Sequence, residues 1–216
     1  MDAVFTQGSS IIPCVSLTFD DGPTQKTTTE ILKVLKKFNI LATFFVTGEN
    51  TLNFPTMAKR IAKEGHELGN HSFAHPHFSS LSMTDILLEI ETTNKILLKL
   101  TKQKPLFFRP PYGDYTENHS HLIKRIGMMT ALWSKGGGDW EKGGMKKIVS
   151  QIETDLQPGD IILLHDHDSQ EHHEQISDAL TRIIRACRKK KIQIVPLKYL
   201  YGLSNIEGNL KTASKV

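Results

Sequence analysis

Hydrophobic and polar positions along the chain follow two alternating patterns. Short apolar, β-branched or aromatic runs predict strands. Between them, apolar residues recur every three or four positions, which predicts helices with one buried face. The predicted strands span residues 11–19, 42–47, 66–70, 106–109, 128–133, 160–165 and 192–196. The predicted helices span residues 27–38, 55–64, 84–100, 119–126, 146–156 and 175–189.

This alternation of strands and helices predicts an α/β fold built from parallel β–α units. About seven strands and about six helices fit either an open doubly wound sheet or a barrel. Polar candidates at or shortly after the predicted strand ends are Asp20, Asp21, His71, Arg109, Asp139 and His165. A barrel brings all strand ends to one face, whereas an open sheet joins only a few of them. We therefore predict a barrel with about seven parallel strands.

Length and composition are those of a globular protein. The 216 residues are 38% hydrophobic and 23% charged, which predicts one domain over residues 1–216 with its core at about 13–202. Two cysteines, Cys14 and Cys187, provide neither a disulfide framework nor a cysteine metal site. We see no signal-peptide pattern and no apolar run long enough to cross a membrane, so we expect no membrane insertion. Since a trimmed chain would look the same, the location stays open.

The formal net charge of +4 makes the chain mildly basic. Such a charge suits contact with an anionic surface, such as a bacterial wall or a nucleic acid. Much of the excess lies in residues 188–191, at the end of a predicted helix, where cations complement the helix dipole without any partner. We therefore expect an ordinary solvated surface and no nucleic-acid partner.

Two carboxylates and two histidines form the first group of candidate residues. Asp20 and Asp21 follow a predicted buried strand, where adjacent carboxylates are costly unless a cation or a proton neutralises them. An ordinary turn with hydrogen-bonded aspartates explains this pair equally well. His71 and His75 share one face if their stretch forms a helical turn, and with one carboxylate they make a facial set of metal ligands. A histidine pair alone is more often a surface feature, and His77 is offset from that face.

Three later stretches carry further candidates. Arg109 precedes two prolines and is a permanent cation that can pair with a carboxylate. Asp139 and Trp140 are neighbours in a glycine-rich segment, and His165 ends an apolar strand. Taken singly, the three stretches also fit a proline turn, a loop and a hydrogen-bonded histidine at the edge of the core.

Together, the five stretches occur in the order of the five motifs of the polysaccharide deacetylase family, also called carbohydrate esterase family four or the NodB-homology domain. The chain resembles this family over roughly residues 15–200. The first, second, third and fifth motifs read TFDDGP, HSFAH, RPPYG and LLH. The fourth departs from the family pattern Asp-x-x-Asp-Trp, because Gly136 stands in place of the first aspartate.

The resemblance implies a distorted (β/α) barrel with a metal site. By position in the motifs, Asp21, His71 and His75 look like the ligands of a divalent ion, most often zinc, with cobalt or nickel as alternatives. Asp20 looks like the general base that takes a proton from the attacking water. Arg109 resembles the residue that orients this base.

The resemblance also implies how the leaving group and the acetyl group are handled. His165 looks like the general acid that protonates the departing amine, with Asp139 tuning it. The backbone N–H of Tyr112 would stabilise the oxyanion, and this residue would also contact the substrate. Trp140 and Leu163 would enclose the acetyl methyl group.

The activity implied is hydrolysis of N-acetyl groups on a polysaccharide that contains N-acetylglucosamine, of the peptidoglycan or chitin type. Removal of O-acetyl groups from acetylxylan, a catalytically silent carbohydrate-binding domain and a small-molecule amidohydrolase are the alternatives. The complete set of base, metal ligands and acid argues against a silent domain. The connections look short, which favours an open groove for a polymer. The implied substrate favours a secreted or cell-envelope location, and the oligomeric state stays open.

Overall fold

The computed structural model describes residues 4–204, apart from the side chains of residues 170–173. The strands in this part of the chain are β1 (Val4–Phe5), β2 (Cys14–Asp20), β3 (Thr43–Val46), β4 (Glu67–Asn70), β5 (Phe107–Phe108), β6 (Met129–Ala131), β7 (Lys135–Gly136), β8 (Ile161–His165) and β9 (Gln193–Ile194). The helices are α1 (Thr27–Phe38), α2 (Gly48–Asn53), α3 (Pro55–Lys63), α4 (Met83–Thr101), α5 (Glu117–Arg125), α6 (Gly144–Asp155) and α7 (Gln170–Lys189).

The strands form one parallel sheet that curls back on itself. Its order is β1-β6-β5-β4-β3-β2-β8-β7, and β9 pairs with the start of β2. β6 pairs with β5 and β7 pairs with β8, although only residues 132–134 separate β6 from β7. One stretch of chain therefore bonds to both flanks of the sheet and joins them into a distorted barrel.

Strand β2 runs through the middle of this sheet and is buried over all seven of its residues. It pairs with β3 on one side and with β8 on the other. In this register Asp20 stands opposite Phe45 of β3 and His165 of β8. Because parallel strands end on the same side of a barrel, Asp20 and His165 reach the same face.

The helices pack their apolar stripes against the sheet and against each other. In α1, the side chains of Ile31, Leu32 and Leu35 are fully buried, and they belong to the same core cluster as Ile152 of α6 and Ile183 of α7. Removal of this apolar surface from water is the main stabilising term of such a layer. None of the helices within residues 4–204 is long and apolar enough to cross a membrane.

The fold class predicted from the sequence is confirmed, and α1 has the predicted bounds. The sequence pattern does not predict β1, β7 or α2. The two strands have only two residues each, which is too short for a periodicity. Helix α2 has no apolar stripe and starts because the side chain of Thr47 accepts the N–H of Asn50. β1 lies before the expected core, and the assignment of a single domain stays a prediction.

Candidate active site

All of the predicted site residues except Arg109 and Asp139 line one cavity of about 420 Å³ at the C-terminal ends of the strands. Asp20 and His165 end β2 and β8, and His71 and Arg109 directly follow β4 and β5. Asp139 follows β7, three residues after its end. The residues that line the cavity are Asp20, Asp21, His71, His75, Pro110, Tyr112, Gly113, Trp133, Trp140, Leu163, His165 and His167.

One carboxylate oxygen of Asp20 is held by the buried guanidinium of Arg109. Arg109 Nη1 donates to Asp20 Oδ1 at 2.7 Å and to Thr18 Oγ1 at 2.8 Å. The other nitrogens of the guanidinium donate to the carbonyls of Ala131 and Leu132. With both partners buried, the carboxylate is oriented by a charge-assisted bond, which is stronger than a neutral one. Asp20 Oδ2 lies on the side of the site histidines, 3.6 Å from His71 Nε2.

Asp21, His71 and His75 bring three ligand atoms within 4.8 Å of one another. Asp21 Oδ1 lies 3.4 Å from His71 Nε2 and 3.2 Å from His75 Nε2, and the two imidazole nitrogens are 3.2 Å apart. His71 Nδ1 is 2.7 Å from the carbonyl oxygen of Arg109. That contact assigns the ring proton to Nδ1 and leaves the Nε2 lone pair for a ligand role.

The protonation states of this cluster fit a divalent cation. Asp21 Oδ1 is buried and has no hydrogen-bond partner within residues 4–204. Burial opposes ionisation of Asp21, but interaction with His71 outweighs it and lowers the pKa of the carboxyl. Burial, together with the neighbouring His71, lowers the pKa of His75 to about 4, so its imidazole is neutral near pH 7. One carboxylate and two imidazole nitrogens are a donor set that zinc and similar ions bind.

The hypothesis that His71 and His75 meet across a helical turn is wrong. Residues 71–77 form a loop in which Ser72 and His75 have left-handed backbone conformations, with φ of 67° and 58°. Asn70 Oδ1 accepts the N–H of Ser72, and Ser72 Oγ accepts the N–H of His75. Glu89 Oε2 of α4 accepts two further N–H groups of the loop, at 2.8 Å each. These bonds fold the loop so that the two imidazoles converge.

Asp139 holds His165 by two hydrogen bonds. Asp139 Oδ1 lies 2.6 Å from His165 Nδ1, and Oδ2 accepts the backbone N–H of His165 at 2.7 Å. Burial disfavours the charged imidazolium, but the hydrogen bond and the charge of Asp139 outweigh it and raise the pKa of His165. The exposed ring of Trp140 packs edge-on against His165, with ring centroids 4.5 Å apart. His165 is thus a half-buried histidine whose raised pKa favours the protonated form.

Gly136 occupies the position of the missing aspartate in the fourth motif, and the structure shows why a side chain is absent there. Its φ is 92°, and it pairs with Leu163 in the β7–β8 ladder. A Cβ on Gly136 would lie 2.2 Å from the carbonyl oxygen of Leu163. Such a contact is far inside the van der Waals distance. Asp139 reaches His165 without help from a carboxylate at this position.

The lining of the cavity includes two exposed aromatic rings. Tyr112 is 61% exposed and Trp140 is 56% exposed. Leu163 is buried in the cavity wall. Tyr112 lies in a short 3-10 turn, Pro111–Gly113, that directly follows the buried Arg109 and Pro110. All the residues expected to contact substrate therefore border the same cavity.

Sequence reasoning missed three residues that shape the site. Trp133 lines the cavity, and its ring lies 5.6 Å from the guanidinium carbon of Arg109. It is the last residue of a predicted strand, where the other candidates also lie, so the strand-end rule would have found it. Thr18 is two residues before Asp20 and therefore on the same face of β2, which is a period-two signal. Glu89 has no signal, because only the fold brings it to the loop.

Comparison with known proteins identifies relatives of this chain. A polysaccharide deacetylase family model matches residues 8–131. A peptidoglycan-N-acetylglucosamine deacetylase of Bacillus cereus is 37% identical over 190 residues, which are 88% of this chain and 69% of the relative. The peptidoglycan-N-acetylmuramic acid deacetylase PdaC of Bacillus subtilis is 36% identical over 86% of this chain, which spans only 38% of that protein.

Solved structures show the same fold. The structure of the Bc1960 peptidoglycan N-acetylglucosamine deacetylase superposes with a TM-score of 0.89 at 35% identity, over 94% of each chain. BA3943, a family pseudoenzyme from Bacillus anthracis, superposes with a TM-score of 0.81 at 25% identity, over 91% of this chain and 68% of that one. Because the family model covers more than half of the residues and similar relatives are matched over most of this chain, the chain belongs to the polysaccharide deacetylase family.

Proposed function

We propose that this protein is a metal-dependent hydrolase that removes N-acetyl groups from a polysaccharide containing N-acetylglucosamine, of the peptidoglycan type. One observation carries the proposal. Around a single cavity, a carboxylate oriented by arginine and a histidine oriented by aspartate stand beside the Asp21, His71 and His75 cluster. Hydrolysis of an amide needs a base, an acid and a site for the developing oxyanion, and this arrangement offers a group for each.

In the proposed reaction, water attacks the acetyl carbonyl carbon and the C–N bond breaks. Asp20 accepts a proton of the attacking water, because Arg109 holds its Oδ1 and keeps the carboxylate oriented. The imidazolium of His165 gives a proton to the departing amine, so that acetate and a free amino sugar are released. A divalent ion on Asp21, His71 and His75, zinc first and cobalt or nickel otherwise, would polarise the carbonyl and acidify water.

Neighbouring side chains prepare the site for this chemistry. Asp139 bonds His165 Nδ1, so Nε2 is the ring nitrogen that would serve the leaving group. The backbone N–H of Tyr112 would donate to the oxyanion. Leu163 and Trp140 would bound the space for the acetyl methyl group.

The choice of substrate rests on the aromatic lining of the cavity and on the relatives. Exposed rings at Tyr112 and Trp140, which both line the cavity, suit contact with the sugar rings of a polysaccharide. Relatives are named for activity on N-acetylglucosamine and N-acetylmuramic acid of peptidoglycan and on chitooligosaccharides. Peptidoglycan is therefore the first substrate to test.

The test is release of acetate by metal-loaded protein from peptidoglycan, chitin oligomers and acetylxylan. We expect release from the N-acetylated polymers and little from acetylxylan. The double variant His71→Ala plus His75→Ala should lose both the metal and the activity. The exposed His121 on α5 provides a control, because His121→Ala should retain both.

Two outcomes would contradict the proposal. Preferential release from acetylxylan would assign the protein to O-acetyl esters. A structure of the Xyl-CE4 domain of a multidomain xylanase shares the fold at 28% identity, with a TM-score of 0.78. Binding of the polymers without release of acetate from any of them would indicate a silent carbohydrate-binding domain.

A further inference from the structure

Tyr112 holds a backbone conformation that a side chain disfavours. Its φ and ψ are 58° and 7°, in the left-handed region, and Gly113 after it also has a positive φ of 67°. Residues other than glycine reach this region at an energetic cost, because Cβ crowds the backbone carbonyl. Such a conformation persists where the surroundings impose it, and it is often found at functional sites. The N–H of Gly113 donates to the carbonyl of Pro110 at 3.0 Å and closes this turn, and contacts of the Tyr112 side chain add to it.

The Tyr112 ring stacks on the ring of His77. The two rings are nearly parallel, at 12°, with centroids only 3.9 Å apart. The other ring beside Tyr112 is His75, which meets it edge-on at 4.5 Å. The Tyr112 ring thus contacts two histidines. His75 is a candidate metal ligand, whereas His77 does not belong to the candidate metal cluster. The side chain of His77 is 60% exposed to solvent.

A second tie fixes the loop of His77 to the loop of Tyr112. Asp114, two residues after Tyr112, accepts hydrogen bonds from the backbone N–H and the hydroxyl of Ser79, at 2.9 and 2.7 Å. Asp114 Oδ2 also lies 3.6 Å from His77 Nδ1. The stack and these bonds cross between the two loops at neighbouring points. The segment that carries His77 is therefore connected to the segment that carries Tyr112 by hydrogen bonds as well as by the stack.

We propose that His77 is a positioning residue that holds Tyr112 in its left-handed conformation and so aims the Tyr112 backbone N–H. The inference rests on the proposed function, in which that N–H serves the oxyanion. Without His77, the backbone of Tyr112 relaxes toward negative φ and the N–H turns away from the carbonyl. The role belongs to the stacked ring, so an aromatic ring without ring nitrogens serves equally well.

The experiment is a double-variant cycle on acetate release. His77→Ala should lower kcat by roughly 3- to 10-fold with little change in KM, the range expected from loss of one aromatic pair. His77→Phe should restore kcat to within about twofold of wild type, because phenylalanine stacks as well. Tyr112→Gly removes the strain, since glycine adopts positive φ freely. In that background, His77→Ala should change kcat less than twofold.

Controls separate this role from support of the metal loop. His121→Ala removes a histidine of similar exposure, 58%, that belongs neither to the stack nor to the candidate metal cluster, and it should leave kcat unchanged. The metal content of His77→Ala should equal that of wild type. If His77→Ala loses metal, or if its effect is the same in the Tyr112→Gly background, His77 does not act through Tyr112 and the inference is overturned.

A measurement of structure, which does not depend on enzymatic activity, distinguishes this inference from the proposed function. In a crystal structure of His77→Ala, Tyr112 should leave the left-handed region, whereas in His77→Phe it should remain there. Retention of positive φ in His77→Ala overturns the inference, whether or not wild type releases acetate. Failure of wild type to release acetate, with the expected change of backbone, contradicts only the proposed function.

Discussion

Asp20 and Asp21 are neighbours in the chain and carry the same functional group, yet they have different surroundings. Asp20 is buried and bonded to Arg109, whereas Asp21 turns one oxygen toward two imidazole nitrogens. Asp21 also has a left-handed backbone, with φ of 73°. This backbone reversal directs the second carboxylate away from the strand, so two adjacent residues can serve separate tasks.

We therefore expect their amide variants to fail in different ways. Asp20→Asn should lower kcat by roughly 10²- to 10⁴-fold and keep the metal, because the amide cannot accept a proton from water. Asp21→Asn should weaken metal binding, because a neutral amide replaces the anionic ligand. Titration of each variant with zinc, followed by an acetate-release assay, checks both. Equal loss of metal in the two variants would show that the division of labour is wrong.

His165 should define the alkaline limb of the pH profile. The raised pKa keeps its imidazolium protonated to a higher pH than for an ordinary histidine, so kcat/KM should fall on the alkaline side only above that range. Asp139→Asn removes the charge that favours the imidazolium, and the alkaline limb should move to lower pH. Measurement of kcat/KM from about pH 5 to about pH 10, a range that brackets the usual pKa of histidine, checks the direction in which the limb moves. An unmoved limb in Asp139→Asn would assign that limb to another group.

At the scale of elements, the short strand β7 connects the site to the closure of the barrel. Its Gly136 pairs with Leu163, and the chain then runs through two more glycines with positive φ to Asp139. Glycines permit this path because each lacks a Cβ. Asp139 can therefore reach His165 only if β7 stays paired with β8.

A side chain at Gly136 should thus destabilise the protein more than a side chain at a glycine that has a positive φ but open space around it. Gly136→Ala and the family-like Gly136→Asp should each lower the free energy of unfolding by at least about 2 kcal/mol, from the clash with the Leu163 carbonyl added to the strain. Gly127→Ala is the matched control, because Gly127 has a φ of 79° but open space around it. Denaturant unfolding compares the three. Similar losses at Gly136 and Gly127 would mean that β7 moves freely away from β8.

At the scale of the whole molecule, a buried carboxyl connects residues that are about 140 positions apart in the chain. Asp166 follows β8, is fully buried and accepts hydrogen bonds from the hydroxyls of Thr24 and Thr28, near the start of α1. Its backbone N–H donates to the carbonyl of Asp20. Burial raises the pKa of Asp166 to about 7, although the threonine hydroxyls favour the ionised form. The folded protein therefore holds a proton there that the unfolded chain releases near pH 4.

This proton makes the stability of the metal-free protein depend on pH. Between about pH 4 and pH 7 the folded state binds more protons at Asp166 than the unfolded state, so this group lowers stability as pH rises, by roughly 4 kcal/mol at most. Asp166→Asn should remove that contribution, so its stability should fall less than that of wild type from about pH 4 to about pH 7, the edges of that window. Asp178→Asn, at an exposed position of α7, should behave as wild type. Parallel slopes for Asp166→Asn and wild type in denaturant unfolding would contradict the assignment.

The sequence by itself determined features that depend on neighbouring residues. The apolar stripe of α1 predicts its bounds, the alternation of strands and helices predicts the α/β class, and the strand-end positions predict which residues meet. These signals are local, since they follow from the periodicities of strands and helices and from the residue types themselves. Each of the five motifs is likewise a short run of neighbouring residues, and their order along the chain predicts the family.

Only the tertiary structure decided how the parts meet. The bond from Arg109 to Asp20 spans 89 residues, and the bond from Asp139 to His165 spans 26. The loop that carries His71 and His75 is not a helical turn. Glu89 of α4 shapes it by accepting two of its backbone N–H groups. Contacts at such separation depend on where the whole sheet closes, because no local pattern encodes the distance between two loops. For the same reason, the stack of His77 on Tyr112 becomes visible only in the folded protein.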